Sequence, residues 1–144
     1  MRPHYLPALL SASLALAQPG GPVTPDPALR KTLLDALRQP LQTELKQPVR
    51  FVVNRLTATA DWAFGELRPT QPGGQLIVYK KTPYQPLIDD GIFDEGIYAL
   101  WQRKQGRWSV RTYIVGATDV PYGCWWKEYG APRAVLPYAE ADCR

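Results

Sequence analysis

The chain has 144 residues, a formal net charge of +4, one histidine and two cysteines. That length suits one domain with a modest core and is too short for two. A small charge with mixed signs along the sequence is no nucleic-acid signature.

The first 20 residues, MRPHYLPALLSASLALAQPG, have the layout of a secretory signal peptide. Arg2 supplies the positive start, Leu6 to Ala17 the apolar run, and Ala15 and Ala17 the small residues before a cut at Gln18. Cleavage after Ala17 would remove His4, Ser11 and Ser13, leaving residues 18–144 with no histidine and a single serine, Ser109. The exported chain would then lack an imidazole for a triad, a metal or a proton shuttle. No later segment approaches the ~20 apolar residues of a membrane span, and no cysteine lies near the cut to carry a lipid anchor. The expected location is periplasmic or extracellular, with no membrane span after cleavage and no nucleic-acid partner.

Residues 18–27, QPGGPVTPDP, read as a flexible lead-in. Asp26 then caps a helix whose first residue is Pro27, where a missing N–H costs nothing. Leu29, Leu33, Leu37, Leu41 and Leu45 recur every four residues, and Leu34 widens that apolar face. Pro40 predicts a kink or break, since proline removes a helical hydrogen bond and crowds the preceding turn. From Val49 the period changes. RFVVNRL and DWAFGEL read as paired strands, and apolar residues on both parities of the first imply a bulge or burial on two sides. PTQPGGQ (69–75) reads as a turn, LIVYK as a short strand, and TPYQP as an edge or loop.

The segment 89–96, DDGIFDEG, clusters Asp89, Asp90, Asp94 and Glu95 in a short acidic loop with glycines at 91 and 96. Carboxylates on a flexible loop suit Ca²⁺, but the spacing does not match an EF-hand, so a solvated acidic loop is the default reading. Two carboxylates drawn from Asp61, Glu66, Asp89, Asp90, Asp94, Glu95 and Asp119 would serve as acid and base on a glycosidic bond if the fold brought them together.

A two-residue turn at Gln105-Gly106 predicts a hairpin over 97–115. It pairs Ile97 with Ile114, Ala99 with Thr112, Trp101 with Val110 and Arg103 with Trp108. On the opposite face Tyr98 meets Tyr113, Leu100 meets Arg111 and Gln102 meets Ser109. One face is largely apolar and the other mixed, as in a half-buried sheet. Trp101 and Trp108 therefore read as core rather than as sugar-stacking surfaces. Arg103, Lys104 and Arg107, with Arg111 below them, read as a solvated basic tip. Thr118 or Asp119 caps a predicted helix through Tyr129, ended by Gly130 and Pro132, in which one aromatic pair, Trp125–Tyr129 or Tyr122–Trp126, docks on the sheet.

In an oxidising compartment Cys124 and Cys143 pair most simply as a disulfide. Their distance along the chain is unlike a Cys-x-x-Cys redox pair.

The stretches PVRFVV, DWAF, ALWQRKQGRW and GATDVPYGCWWKEYGAPRAV resemble a group of small exported bacterial proteins of unassigned function. The resemblance spans roughly Leu29 to Val135 and is most specific at Trp62-Ala63-Phe64 and from Gly116 to Pro132. It implies no catalytic or binding residues. The order of elements predicts an α+β domain over residues 28–144: a leucine-faced N-terminal helix on a curved antiparallel sheet of about four strands, with a short C-terminal helix. In outline that is cystatin-like or NTF2-like, an analogy of fold alone. The functional expectation is a non-catalytic secreted or envelope module binding a protein, polymer or small ligand, with no catalytic residue and no cofactor. The alternatives are a carboxylate-dependent hydrolase of cell-wall glycan and a calcium-stabilised extracytoplasmic module.

Overall fold

A computed structural model describes residues 20–144. The signal-peptide reading of residues 1–17, with His4, lies outside the described residues.

Helix α1, Pro27–Leu45, begins as its sequence dictates: the Asp26 carboxylate accepts the Leu29 N–H at 2.8 Å, with Pro27 behind it. It is the first element of the fold but not the N-terminus of the chain. The residues ahead of it are tied down at Val23, whose N–H and C=O bond Ala58 at 2.9 and 2.8 Å. The helix runs through Pro40 without a break. Proline removes only its own N–H from the ladder, and Leu37, Leu41 and Leu45 stay buried on both sides of it, so packing outweighs the local cost. Lys46, in the left-handed conformation, ends the helix.

Four strands follow: β1 (Arg50–Ala58), β2 (Trp62–Thr70), β3 (Ile97–Lys104) and β4 (Arg107–Val115). They form an open antiparallel sheet in sequence order. β1 carries the expected irregularity, a bulge between Val53 and Arg55. β2 extends through Pro69 and Thr70, so the turn is shorter than PTQPGGQ. Pro69 still pairs with Phe51 of β1, but the pairing with β3 ends at Leu67 opposite Ile97, so on that side the strand is an edge, where proline is tolerated.

LIVYK is not a strand. It has no regular secondary structure, with Ile77 and Tyr79 buried and Leu76 and Val78 exposed. Its ladder partner is a side chain: Gln47 donates Nε2–H to the Val78 carbonyl at 2.8 Å and accepts the Val78 N–H at 3.0 Å. TPYQP turns into a five-residue helix, α2 (Gln85–Asp89).

The β3–β4 turn is Gln105-Gly106, with both residues at positive φ, the hairpin conformation matching strand twist. Arg103–Trp108, Gln102–Ser109 and Trp101–Val110 pair as predicted. A bulge then shifts the rest by one: Leu100 meets Thr112, Ala99 meets Tyr113, Tyr98 meets Ile114 and Ile97 meets Val115. The cause is packing. Val110 and Tyr113, three apart, both join the cluster under α1, which strict alternation forbids and one extra residue allows.

Both faces of the sheet are covered, not one. Between α1 and the sheet, Leu33, Leu37 and Leu41 of the helix meet Ala63, Leu67 and Trp101 of the strands, all fully buried. The other face, expected to be mixed, carries Phe64 and Leu100 beneath Tyr122, Trp125, Val135 and Leu136 of the C-terminal segment. That segment is less helical than predicted. Residues 118–124 are turns and bends, Asp119 is exposed and caps nothing, and α3 spans only Trp125–Glu128. A short 3₁₀ turn at Arg133–Val135 follows.

Cys124 and Cys143 form a disulfide, with Cα atoms 5.7 Å apart. The tail is also held by hydrogen bonds, from Glu140 N–H to the Gly123 carbonyl (2.8 Å) and from Trp126 Nε1–H to the Glu140 carbonyl (2.9 Å). Replacing both cysteines with serine should lower stability by about 3 kcal/mol, the loop-closure value for some 20 residues. Denaturant melts of the pair variant against the parent check this.

Candidate functional site

The carboxylates that the sequence scatters are sorted by the sheet. Glu66 in β2 stands opposite Arg55 on one side and Tyr98 of β3 on the other. Above them runs the acidic loop, fixed by its own core anchor. Phe93 packs on Tyr79 and Tyr84, with ring centroids at 4.9 and 5.9 Å. Asp94 N–H bonds the Gly116 carbonyl at 3.1 Å, and Gly116 N–H bonds the Gly96 carbonyl at 2.9 Å. With Phe93 inward, Asp94 and Glu95 form the wall of an open cleft of about 450 Å³, which Glu66, Arg68, Tyr98 and Asn54 also line.

Tyr98 ties this cleft to the aromatic layer behind it. Its ring lies 5.0 Å from Tyr122 and 6.4 Å from Phe64. Burial pushes its phenol pKa up, and Glu66, Tyr122, Asp94 and Asp119 push the same way. Tyr122 is raised by burial and by Glu66, with Arg55 opposing. The two tyrosines thus report a negative field in which Glu66 is the leading charge for both.

Of the seven carboxylates considered from sequence, Glu66, Asp94 and Glu95 line this cleft, and Asp119 lies within electrostatic reach of Tyr98. The other three lie elsewhere. Asp61 pairs with Arg103 at 3.3 Å, joining the β1–β2 turn to β3 and making part of the basic tip a structural contact. Asp89 accepts from Gln85 Nε2–H at 2.8 Å within α2, and Asp90 is exposed at its end.

For a metal, the four acidic-loop residues do not converge. Among the described residues, the one group of three ligand atoms within 4.8 Å of one another is Cys124, Glu140 and Cys143. There the disulfide occupies both sulfurs, so neither is a thiolate donor.

The tryptophans are mostly structural. Trp101 is fully buried and Trp108 packs against the cluster under α1, as expected; Trp125 is buried on the other face. Trp126 is half-buried, with Arg133 stacked 3.7 Å above its ring.

Tyr98, Arg68 and Asn54 escape sequence reasoning because they reach the cleft only through the β1–β2–β3 register. A second tyrosine arrangement also escapes it. The Glu44 carboxylate of α1 accepts hydrogen bonds from the hydroxyls of Tyr84 and Tyr113, the latter at 2.6 Å. Burial, and after it the Glu44 bond, raises both phenols, Tyr113 to about 12. Tyr79, whose buried hydroxyl has no partner, is pushed to about 12 by burial and then by Glu95. A phenol whose pKa rises on folding stabilises the native state fully below pH 10 and progressively less as pH climbs through its native value. Stability should therefore fall between about pH 10 and 12. Tyrosinate absorbance should show a slow-titrating class that merges with the others on unfolding.

No family model matches this chain, and no curated protein or solved structure matches it either.

Proposed function

We propose that the protein is an exported, non-catalytic interaction module whose acidic cleft receives a cationic segment of a partner protein or polymer. The observation that carries this reading is the convergence of Glu66, Asp94 and Glu95 on Tyr98 in one open cleft. Three carboxylates against two arginines, Arg68 in the lining and Arg55 opposite Glu66, still favour ammonium or guanidinium groups, and the exposed part of Tyr98 adds a π surface for the same cations. The face under α1 is filled by leucines and Trp101, which favours a surface partner over an apolar ligand held within the fold. The disulfide is consistent with an oxidising compartment. One helix against four antiparallel strands supports the cystatin-like or NTF2-like outline, a comparison of shape that brings no activity with it.

The test is calorimetric titration of the full-length protein with tetralysine at low salt. Binding is expected in the parent and should weaken at least tenfold in the Glu66→Gln/Asp94→Asn variant. Absence of binding in the parent would end the proposal.

The same convergence favours a second reading, hydrolysis of a cell-wall glycan by two of these carboxylates. That reading predicts release of reducing ends from peptidoglycan, abolished by Glu66→Gln alone. Failure of the parent to release them would remove it.

A further inference from the structure

We propose that the free edge of β1 binds an extended acidic peptide by strand addition. This site borders the acidic cleft at Asn54, which lines both, and goes beyond the function proposed for that cleft.

β1 is the first strand of an open sheet, so one side of its backbone has no strand partner. Among the described residues, the only backbone pairing along that side is Val23 with Ala58, through two hydrogen bonds. The edge therefore already accepts a strand from the chain's own segment, at its far end only. Backbone groups alternate in direction along a strand, so the N–H and C=O of Leu56 point the same way as those of Ala58. The bulge between Val53 and Arg55 resets this alternation, and a peptide would have to bridge it or start beside it.

The groove beside this edge has a consistent chemistry. Two stretches lie beside β1 and α1, of about 440 and 390 Å³. Their apolar floor includes Leu34, Phe51 and Val53. Their charged residues are all arginines, Arg38 and Arg50 in one and Arg30 and Arg55 in the other, with no carboxylate in either. Arg38 is already engaged, bonded to Asp35 and to the Val49 carbonyl. Arg30 and Arg50 are exposed and make no ion pair among the described residues, whereas Arg55, also exposed, stands opposite Glu66.

A free strand edge supplies main-chain hydrogen bonds without sequence preference, and the flanking side chains supply selection. Here two uncommitted guanidiniums, Arg30 and Arg50, select carboxylates, and the apolar floor takes every second side chain. The fitting occupant is an extended segment alternating Asp or Glu with aliphatic residues. A polyanion without a peptide backbone would satisfy the arginines but leave the edge unpaired.

The experiment uses ¹⁵N-labelled full-length protein and an acetylated, amidated decapeptide alternating Glu and Val. Binding should shift the amide resonances of Phe51, Val53 and Leu56. Arg30→Glu/Arg50→Glu should raise the Kd at least tenfold while leaving the melting curve unchanged, since both side chains are exposed and unpaired. The same peptide N-methylated at alternate residues should lose at least tenfold in affinity. No binding by the parent peptide would overturn the proposal. So would equal binding by the N-methylated peptide, or displacement by polyphosphate at equal charge, since either marks a general polyanion surface. Glu66→Gln/Asp94→Asn should leave decapeptide binding intact, so this site and the acidic cleft fail or stand separately.

Discussion

Trp101→Ala should destabilise the protein by about 4 kcal/mol, the middle of the range for truncating a buried aromatic side chain. Trp101 is fully buried at the centre of the sheet, and its Nε1–H donates to the Leu33 carbonyl of α1 at 2.9 Å. It is therefore both the largest side chain of that core and a polar tie between helix and sheet. The site cannot collapse easily, because its floor is Gly65. A Cβ built there would lie 2.8 Å from Cη2 of the indole. Gly65 is thus the space into which the tryptophan fits, which gives a coupled expectation. Gly65→Ala alone should cost about 1–3 kcal/mol by overpacking. With Trp101 already truncated, the same change should cost little or nothing. A double-mutant cycle read by urea melts checks the pair. Additive effects would show that the two residues do not share this space.

Gly116→Ala should cost about 3 kcal/mol and disturb the acidic cleft as well. Gly116 has φ +83, a conformation that costs a residue with a Cβ on the order of 1–2 kcal/mol. Its added methyl would stand 2.3 Å from the Phe93 ring. Phe93 cannot retreat without disturbing its packing on Tyr79 and Tyr84, which adds an overpacking cost of similar size. The loop carrying Asp94 and Glu95 is anchored by that phenylalanine, so its displacement should move the cleft wall. The expected result is a lower melting temperature together with weaker tetralysine binding. Unaltered binding in a destabilised variant would separate the Phe93 anchor from the cleft.

What the sequence discloses and what it conceals follow from the range of the interactions involved. The leucine stripe of α1 and its Asp26 cap are local, and both are legible. So are the Gln105-Gly106 turn and the pairings nearest to it, Arg103–Trp108 to Trp101–Val110. The register beyond them is not legible, because the bulge is set by Val110 and Tyr113 both packing under α1, where Tyr113 also reaches Glu44, 69 residues away in sequence. LIVYK shows strand alternation truly, yet its partner is the Gln47 amide, which no strand pattern announces. The covering of the second sheet face is hidden for the same reason. Trp125 and Tyr122 are visible as aromatics, but not which surface they cover. The cleft lies between these extremes. Its acidic loop and Glu66 are noticed one by one, while their meeting at Tyr98 requires the β2–β3 register.

The claim that Glu66, Asp94, Glu95 and Tyr98 form a binding cleft is tested most directly by titrating ¹⁵N-labelled full-length protein with tetralysine. The largest, saturable shifts should fall on the amides of Glu66, Asp94, Glu95, Gly96 and Tyr98. Shifts that stay unsaturated, or that centre on Asp89, Asp90 or the C-terminal tail, would contradict it.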